Sequence, residues 1–313
     1  MAFALRPYQD DLISRTSDAL RRHRRVLLQA PTGAGKTALS SAMMLGSSSR
    51  GRQTLFICHR AELVLQTSKT LARVGVGHSF IAAGWPCDSS ATVFVCSIDT
   101  LKARVEKLTW LDPSLAIWDE CHHIGAAGWA AVMARFDRAF HVGLSATPVR
   151  LDGSGLDSYF EELGPAPSVA WLIEQGFLST YRMYAPSSAD LERVRSLVGD
   201  YRAADAEKAM TEQLTGDAIQ HWRRYANGWR TVVFRTTVRH SEAVVEQFNA
   251  AGVAAAHLDG STPKELRAET IRRFAAGELK VLSNVSLFGE GFDLSAAADT
   301  DVTVDCVILL RPT

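Results

Sequence analysis

Val26-Leu27-Leu28-Gln29-Ala30-Pro31-Thr32-Gly33-Ala34-Gly35-Lys36-Thr37 decides how the rest of the chain is read: an apolar, β-prone run, a loop with two closely spaced glycines, then a lysine and a threonine. Gly33 and Gly35 let the backbone turn tightly enough for successive amides to face one phosphate. Lys36 has the reach for β- and γ-phosphates, and the Thr37 hydroxyl suits magnesium. The first loop position is Ala30 rather than glycine, so placement carries the reading: a strand precedes the loop and Ala38-Leu39 opens a helix. Pro31, Thr32, Gly33, Ala34, Gly35, Lys36 and Thr37 are therefore the expected nucleotide-binding residues.

A second chemical signal follows downstream. Leu115-Ala116-Ile117-Trp118 reads as a strand that delivers Asp119 and Glu120 to its end. There an aspartate can hold magnesium, shared with Thr37, and a glutamate can deprotonate the attacking water. Glu120, Lys36 and Asp119 are the catalytic candidates, with ATP and Mg2+ as the implied cofactors. His122 and His123 come next, and two adjacent histidines do not make a closed zinc site.

Working outward, Val26 to Gln29, Thr54 to Cys58, Ala91 to Ser97, Leu115 to Trp118 and His141 to Leu144 are short β-rich runs separated by helical spacing. The alternation predicts a mainly parallel sheet covered by helices. Val149 to Pro167, with three glycines and two prolines, reads as a mobile excursion, and Trp171 to Phe177 as a helix and a turn. A second alternation predicts strands at Thr231 to Phe234, Ala254 to Leu258, Val281 to Ser283 and Val304 to Leu310. Helices are expected at Val238 to Ala250 and Pro263 to Ala276, the latter capped by Ser261 or Thr262. Domain boundaries follow: 1–178, a linker at 179–188, and 189–313.

With 313 residues, 47% of them hydrophobic, the chain has material for two cores. Thirty-four basic residues cancel thirty-four acidic ones, so net charge gives no argument for nucleic acid. Arg21-Arg22-His23-Arg24-Arg25 could meet phosphate or form a solvated helix face. Five cysteines without metal spacing indicate a reducing compartment, and the absence of a leader or membrane-length apolar run makes the expectation cytoplasmic, with no membrane partner. Trp85, Trp110, Trp129 and Trp171 are of a type that stacks on bases, though partly buried packing is the commoner use.

In their order these motifs resemble superfamily 2 helicases and translocases, within them restriction-enzyme motor subunits, XPB-like repair helicases and RadD-like repair proteins. The resemblance implies two tandem RecA-like P-loop domains with ATP hydrolysed between them. It implies an adenine contact by Gln9 in the Arg6-Pro7-Tyr8-Gln9 stretch, with Arg6 also in the nucleotide site. Asp119-Glu120-Cys121-His122 would be the family box, with His122 coupling ATP chemistry to Ser145 and Thr147. Cys58-His59-Arg60-Glu62-Leu63 and Ser97-Ile98-Asp99-Thr100-Leu101 resemble strand-tracking motifs, placing Arg60, Ser97 and Thr100 on a nucleic-acid backbone. Arg235 and Thr236 join them from the second domain. Gly291 and Asp293, in Asn284 to Asp293, resemble the residues that sense nucleotide from that domain.

The family's Gln-x-x-Gly-Arg-x-x-Arg motif does not follow Arg311-Pro312-Thr313, so the second domain is expected to be incomplete. The implied function is an ATP-dependent helicase or translocase acting on single-stranded or junction DNA in repair, weakly active or inactive alone, with a second chain as a possible source of arginines. Two alternatives stand beside it: a non-enzymatic ATP/DNA-binding module or partner-completed half enzyme, and an RNA remodeller.

Overall fold

The computed structural model describes residues 4–59, 61–126, 128–150, 153–184, 196–197, 200–201, 212–288, 294–298 and 300–310. Two compact units result, Met1–Arg182 and Met183–Thr313.

In the first unit, β1 (Arg25–Gln29), β2 (Thr54–Cys58), β3 (Ser79–Ile81), β4 (Val93–Ser97), β5 (Leu115–Asp119), β6 (Phe140–Ser145) and β7 (Glu162–Pro165) form one sheet in the order β3-β4-β2-β5-β6-β1-β7. Every pairing is parallel. Such strands are covered on both faces and read as continuous apolar runs, as TLFIC and VFVCS do. The two-residue period still sorts them: Val26, Leu28, Phe56, Val95, Ile117 and Val142 enter one core, while Leu27, Leu55, Ile57, Phe94, Ala116 and Trp118 enter the other. Helices α1 (Pro7–Ala19), α2 (Lys36–Ser48), α3 (Ala61–Arg73), α4 (Ile98–Arg104), α5 (Trp129–Arg135) and α6 (Val169–Glu174) complete the unit.

The segment expected to be a mobile excursion instead supplies β7. Val26 to Gln29 pair with Glu162 to Pro165, and the Glu161 carboxylate accepts the backbone N–H groups of Arg24 and Arg25 at 2.7 and 3.0 Å. Pro165 is tolerated because β7 lies at the sheet edge.

In the second unit a short antiparallel pair, β8 (Ser196–Leu197) and β9 (Asp200–Tyr201), precedes α7 (Glu212–Tyr225). A parallel sheet follows in the order β11-β12-β10-β13, made of β10 (Thr231–Arg235), β11 (Ala255–Leu258), β12 (Val281–Val285) and β13 (Cys306–Leu310). Helices α8 (Val238–Ala250), α9 (Lys264–Ala275) and α10 (Leu294–Ala298) accompany it. The cap of α9 is Pro263 with no side-chain hydrogen bond; Ser261 and Thr262 instead bond Asp259 Oδ1 through both backbone N–H and hydroxyl. Both sheets are of the RecA-like type. Among the described residues no helix is long and apolar enough to cross a membrane.

Trp118, fully buried, donates its indole N–H to His141 Nδ1 at 3.1 Å, and His141 Nε2 faces the Phe136 carbonyl at 3.0 Å, which fixes a neutral ring. Burial, the main cause, lowers the His141 pKa to about 4 from 6.5. The unfolded chain therefore binds the proton first, and this residue's contribution to stability falls as pH drops from about 6.5 towards 4. We expect the His141 ring to stay neutral in the folded protein at pH 5.5 by NMR titration; a midpoint near 6.5 would contradict this environment.

Candidate functional site

Parallel topology brings the C-terminal ends of β1, β4, β5 and β6 to one end of the sheet, and Lys36, Thr37, Ser97, Asp119, Glu120, His122 and Ser145 follow or end those strands there. Immediately after β1 the chain turns, with Ala30 N–H donating to the Ser145 carbonyl at 2.9 Å and Ala34 N–H to that of Pro31 at 3.0 Å. Gly33 and Gly35 have φ of +84° and +85°, which glycine adopts freely. A Cβ on Gly33 would come within 2.5 Å of Leu178 Cδ2, and one on Gly35 within 2.3 Å of Gln9 Nε2, so those side chains would have to shift to admit it. Gly35 caps α2, so Lys36 and Thr37 stand in its first turn. The loop is thus a backbone cradle at the start of a 13-residue helix, with the partial positive charge that such an end presents to anions.

Gln9 is buried and holds this cradle. Its Oε1 accepts the Arg6 N–H at 2.9 Å and its Nε2 donates to the Ala34 carbonyl at 3.0 Å, to which Tyr8 Oη also donates at 2.8 Å.

Asp119 ends β5, and Glu120 follows at φ +47°, an uncommon backbone state for a residue with a side chain. That turn directs the Glu120 carboxylate to Lys36, with which it forms a close, mostly buried ion pair. Burial first, and the Glu120 charge second, raise the Asp119 pKa to about 6, while Lys36 opposes the shift. A carboxylate disfavoured as a bare anion suits a hard divalent cation, although among the described residues no group of three or more His, Cys, Asp or Glu side chains is placed to hold one.

His122 stands in the short 3₁₀ turn Cys121–Gly125, with Nδ1 at 3.6 Å from Glu120 Oε2 and 3.1 Å from Ser145 Oγ. Ser145 Oγ donates to the Thr147 carbonyl at 2.7 Å and accepts the Thr147 N–H at 3.2 Å. The serine proton is therefore engaged, so Nδ1 carries the imidazole proton and donates to Ser145. Lys36, Glu120, His122, Ser145 and Thr147 thus line up as a row of polar groups from the phosphate loop to the end of β6, in which the step from Glu120 to His122 is a 3.6 Å approach rather than a hydrogen bond. Cys121 is inert beside it: burial pushes its thiol pKa up, and its sulfur lies near Gly143.

Other expected residues are placed differently. Ser97 and Thr100 are nearly buried, and Thr100 Oγ1 accepts the Ala83 N–H at 3.0 Å, fixing the loop after β3. Arg235 is buried in the second unit and donates to the Leu310 carbonyl at 3.2 Å, while Thr236 follows it at the end of β10. Arg60, Gly291 and Asp293 lie outside the described residues. The basic run is largely engaged locally: Arg21 pairs with Asp18, Arg22 and His23 with Glu162, and the backbones of Arg24 and Arg25 with Glu161. Trp129 is buried and Trp85 packs on Phe80, whereas Trp110 and Trp171 are partly exposed.

Two family models match. Residues 2–150 match the type III restriction enzyme res subunit, and residues 210–309 the helicase conserved C-terminal domain. A 51.5 kDa protein of a Lactococcus phage (isolate 7-9) is 31% identical over 287 residues, covering 92% of this chain and 59% of its own length. The DNA 3'-5' translocase XPB2 of Sulfurisphaera tokodaii is 24% identical, covering 94% and 73%. A solved fragment described as an HsdR subunit of a type I restriction enzyme from Vibrio vulnificus YJ016 superposes with a TM-score of 0.72 at 21% identity, over 98% of this chain and 57% of that one. The chain spans between 47% and 59% of the length of the first curated relatives it matches.

Proposed function

Because the chain belongs to superfamily 2 of the helicases and is related to restriction-enzyme motor proteins, we propose that it hydrolyses ATP to move along or remodel nucleic acid, with DNA as the track. Support for DNA comes from the relatives: restriction enzymes and a translocase named for DNA. The observation that carries the proposal is the row of polar groups from Lys36 through Glu120 and His122 to Ser145 and Thr147.

In this reading the triphosphate lies on the backbone amides of Thr32 to Thr37. Its γ-phosphate competes with Glu120 for Lys36. Releasing Lys36 frees the Glu120 carboxylate to accept a proton from the attacking water, while His122 moves with it and shifts Ser145 and Thr147. Hydrolysis is thereby felt at the end of β6 without a large displacement. Thr37 and Asp119 would hold magnesium, which when bound neutralises charge on the phosphates. Gln9 steadies the cradle. Arg60, Ser97, Thr100, Arg235 and Thr236 are assigned to the nucleic-acid track, Thr100 through the Ala83 loop that it fixes, and Gly291 and Asp293 to nucleotide sensing.

The domain limits 1–178 and 189–313, with a linker at 179–188, remain part of this proposal; residues 185–188 of that linker lie outside the described residues. Multi-subunit partners are proposed by analogy with restriction enzymes, including a second chain that supplies arginines.

Phosphate release from ATP should rise when single-stranded DNA is added, with RNA giving less stimulation. Stimulation by RNA alone would favour the RNA remodeller. ATP binding without turnover under any nucleic acid would leave the non-enzymatic module or half enzyme.

A further inference from the structure

The end of α7 and the turn after it, Gln220-His221-Trp222-Arg223-Arg224-Tyr225-Ala226-Asn227-Gly228-Trp229-Arg230, interleave aromatic and cationic side chains, and no Asp or Glu occurs between Asp217 and Glu242. Helical spacing sorts the run: Ile219, Trp222 and Ala226 enter the core of the second unit, while Arg223, Arg224, Tyr225 and Trp229 stay exposed. Trp222 is the anchor, donating its indole N–H to Thr231 Oγ1 at 2.6 Å and meeting the Phe248 ring edge-on. The outward side chains therefore stand on a fixed base at the start of β10. Tyr184, from the segment expected to be a linker, stacks on them with its ring 4.1 Å from that of Tyr225 and 16° between the planes. His221 approaches Tyr225 at 6.0 Å, and the Arg224 guanidinium lies 5.2 Å from the Tyr225 ring centre. Arg223 donates to the Ala251 carbonyl at 2.6 Å, a neutral partner that leaves its charge uncompensated. Tyr184 and Trp229 remain 50% exposed.

A near-parallel aromatic column with a half-exposed end accepts a further flat ring, and guanidinium groups beside it favour one that carries phosphate. Tyr, Trp and Arg also populate protein-binding faces, but charge of a single sign along the run favours a polyanion. We propose that this face binds a single-stranded nucleic acid, with bases stacked on Tyr184 and Trp229 and phosphates held by Arg223 and Arg224. It is a second grip, separate from the track: Arg235 and Thr236, assigned to the track in this unit, stand at the opposite end of β10, about 13 Å along the strand. The inference rests on the nucleic-acid reading above and adds a contact outside the motifs that carry that reading. A grip of this kind holds the strand through the part of the cycle in which the track lets go.

Fluorescence anisotropy of a labelled single-stranded DNA, and photo-cross-linking of the same strand carrying iododeoxyuridine, read the site out. In the wild type, cross-links should form to Tyr184 and Trp229. Replacing both exposed rings, Tyr184→Ala with Trp229→Ala, should remove those cross-links and weaken binding about 5- to 100-fold, the range for loss of a base-stacking aromatic. Tyr184→Phe, which keeps the ring, should bind like the wild type. Arg224→Ala should flatten the slope of log affinity against log salt by about 0.7, as loss of one phosphate contact to a single strand does. A double variant that melts like the wild type and holds DNA with unchanged affinity overturns the second grip, leaves the track reading intact and gives the face to a protein partner. Wild-type protein that binds no single strand overturns the nucleic-acid reading, and the grip with it.

Discussion

Replacing Glu120 with glutamine should lower ATP turnover by about 10²- to 10⁴-fold, the span usually lost with a general base, while ATP affinity moves by less than about threefold. Glutamine fills the same volume and can still accept a hydrogen bond from Lys36, but it cannot take a proton from water. The more customary substitution, Lys36→Ala, is harder to interpret here. Lys36 and Glu120 are paired at 16% and 5% side-chain exposure, so removing the lysine strands a buried carboxylate. Breaking such a pair from one side costs about 3–5 kcal/mol, and inactivity would then mix folding with chemistry. Phosphate release at saturating ATP, together with equilibrium nucleotide binding, decides the matter. Turnover within tenfold of wild type in Glu120→Gln would remove Glu120 from the role of base.

Trp118→Ala should unfold the first unit more easily by about 3–5 kcal/mol, as large-to-small changes at filled core positions do. The ring is among the largest fully buried side chains of the molecule, and its indole N–H is the partner of His141 Nδ1. Deletion therefore leaves both a void and an unpartnered nitrogen. Urea unfolding followed by circular dichroism should show the loss in the first unit, with the second unit's transition in place. A loss below about 1 kcal/mol would mean that this core collapses around the gap. Because Trp118 directly precedes Asp119, residual folded protein should also bind nucleotide poorly.

The central strands were legible because parallel pairing buries both of their faces, which leaves long apolar words such as TLFIC and LAIW. Edge strands lack that signature. Glu162-Leu163-Gly164-Pro165 has no β-branched residue and half of its positions are exposed, so glycine and proline dominated its reading although β1 was waiting to pair with it. Three-residue β3 was too short to register. At the candidate site, Gly33, Gly35, Lys36, Asp119 and Glu120 declare themselves through local spacing. What spacing cannot reveal is that His122 touches Ser145 across 23 positions, or that Gln9 grips Ala34 across 25. Those contacts depend on strand order. Arg235 depends on strand order too: the resemblance assigned it to a nucleic-acid backbone, and the pairing of β10 with β13 sets its guanidinium beside the Leu310 carbonyl, a contact that spacing does not announce.

Glu120 and Ser286 are the two described non-glycine residues at positive φ, and Glu120 is also a nearly buried acid. Glycine would take that conformation without the steric strain, on the order of 1–2 kcal/mol, that a side chain brings. Against that strain stands the stranding of buried Lys36 if the acid alone is lost, which costs more, about 3–5 kcal/mol. A variant library sorted only for solubility or heat resistance would therefore leave position 120 alone until position 36 changed too, and would lose acid and lysine as a pair; a sort that demanded turnover would hold both in place.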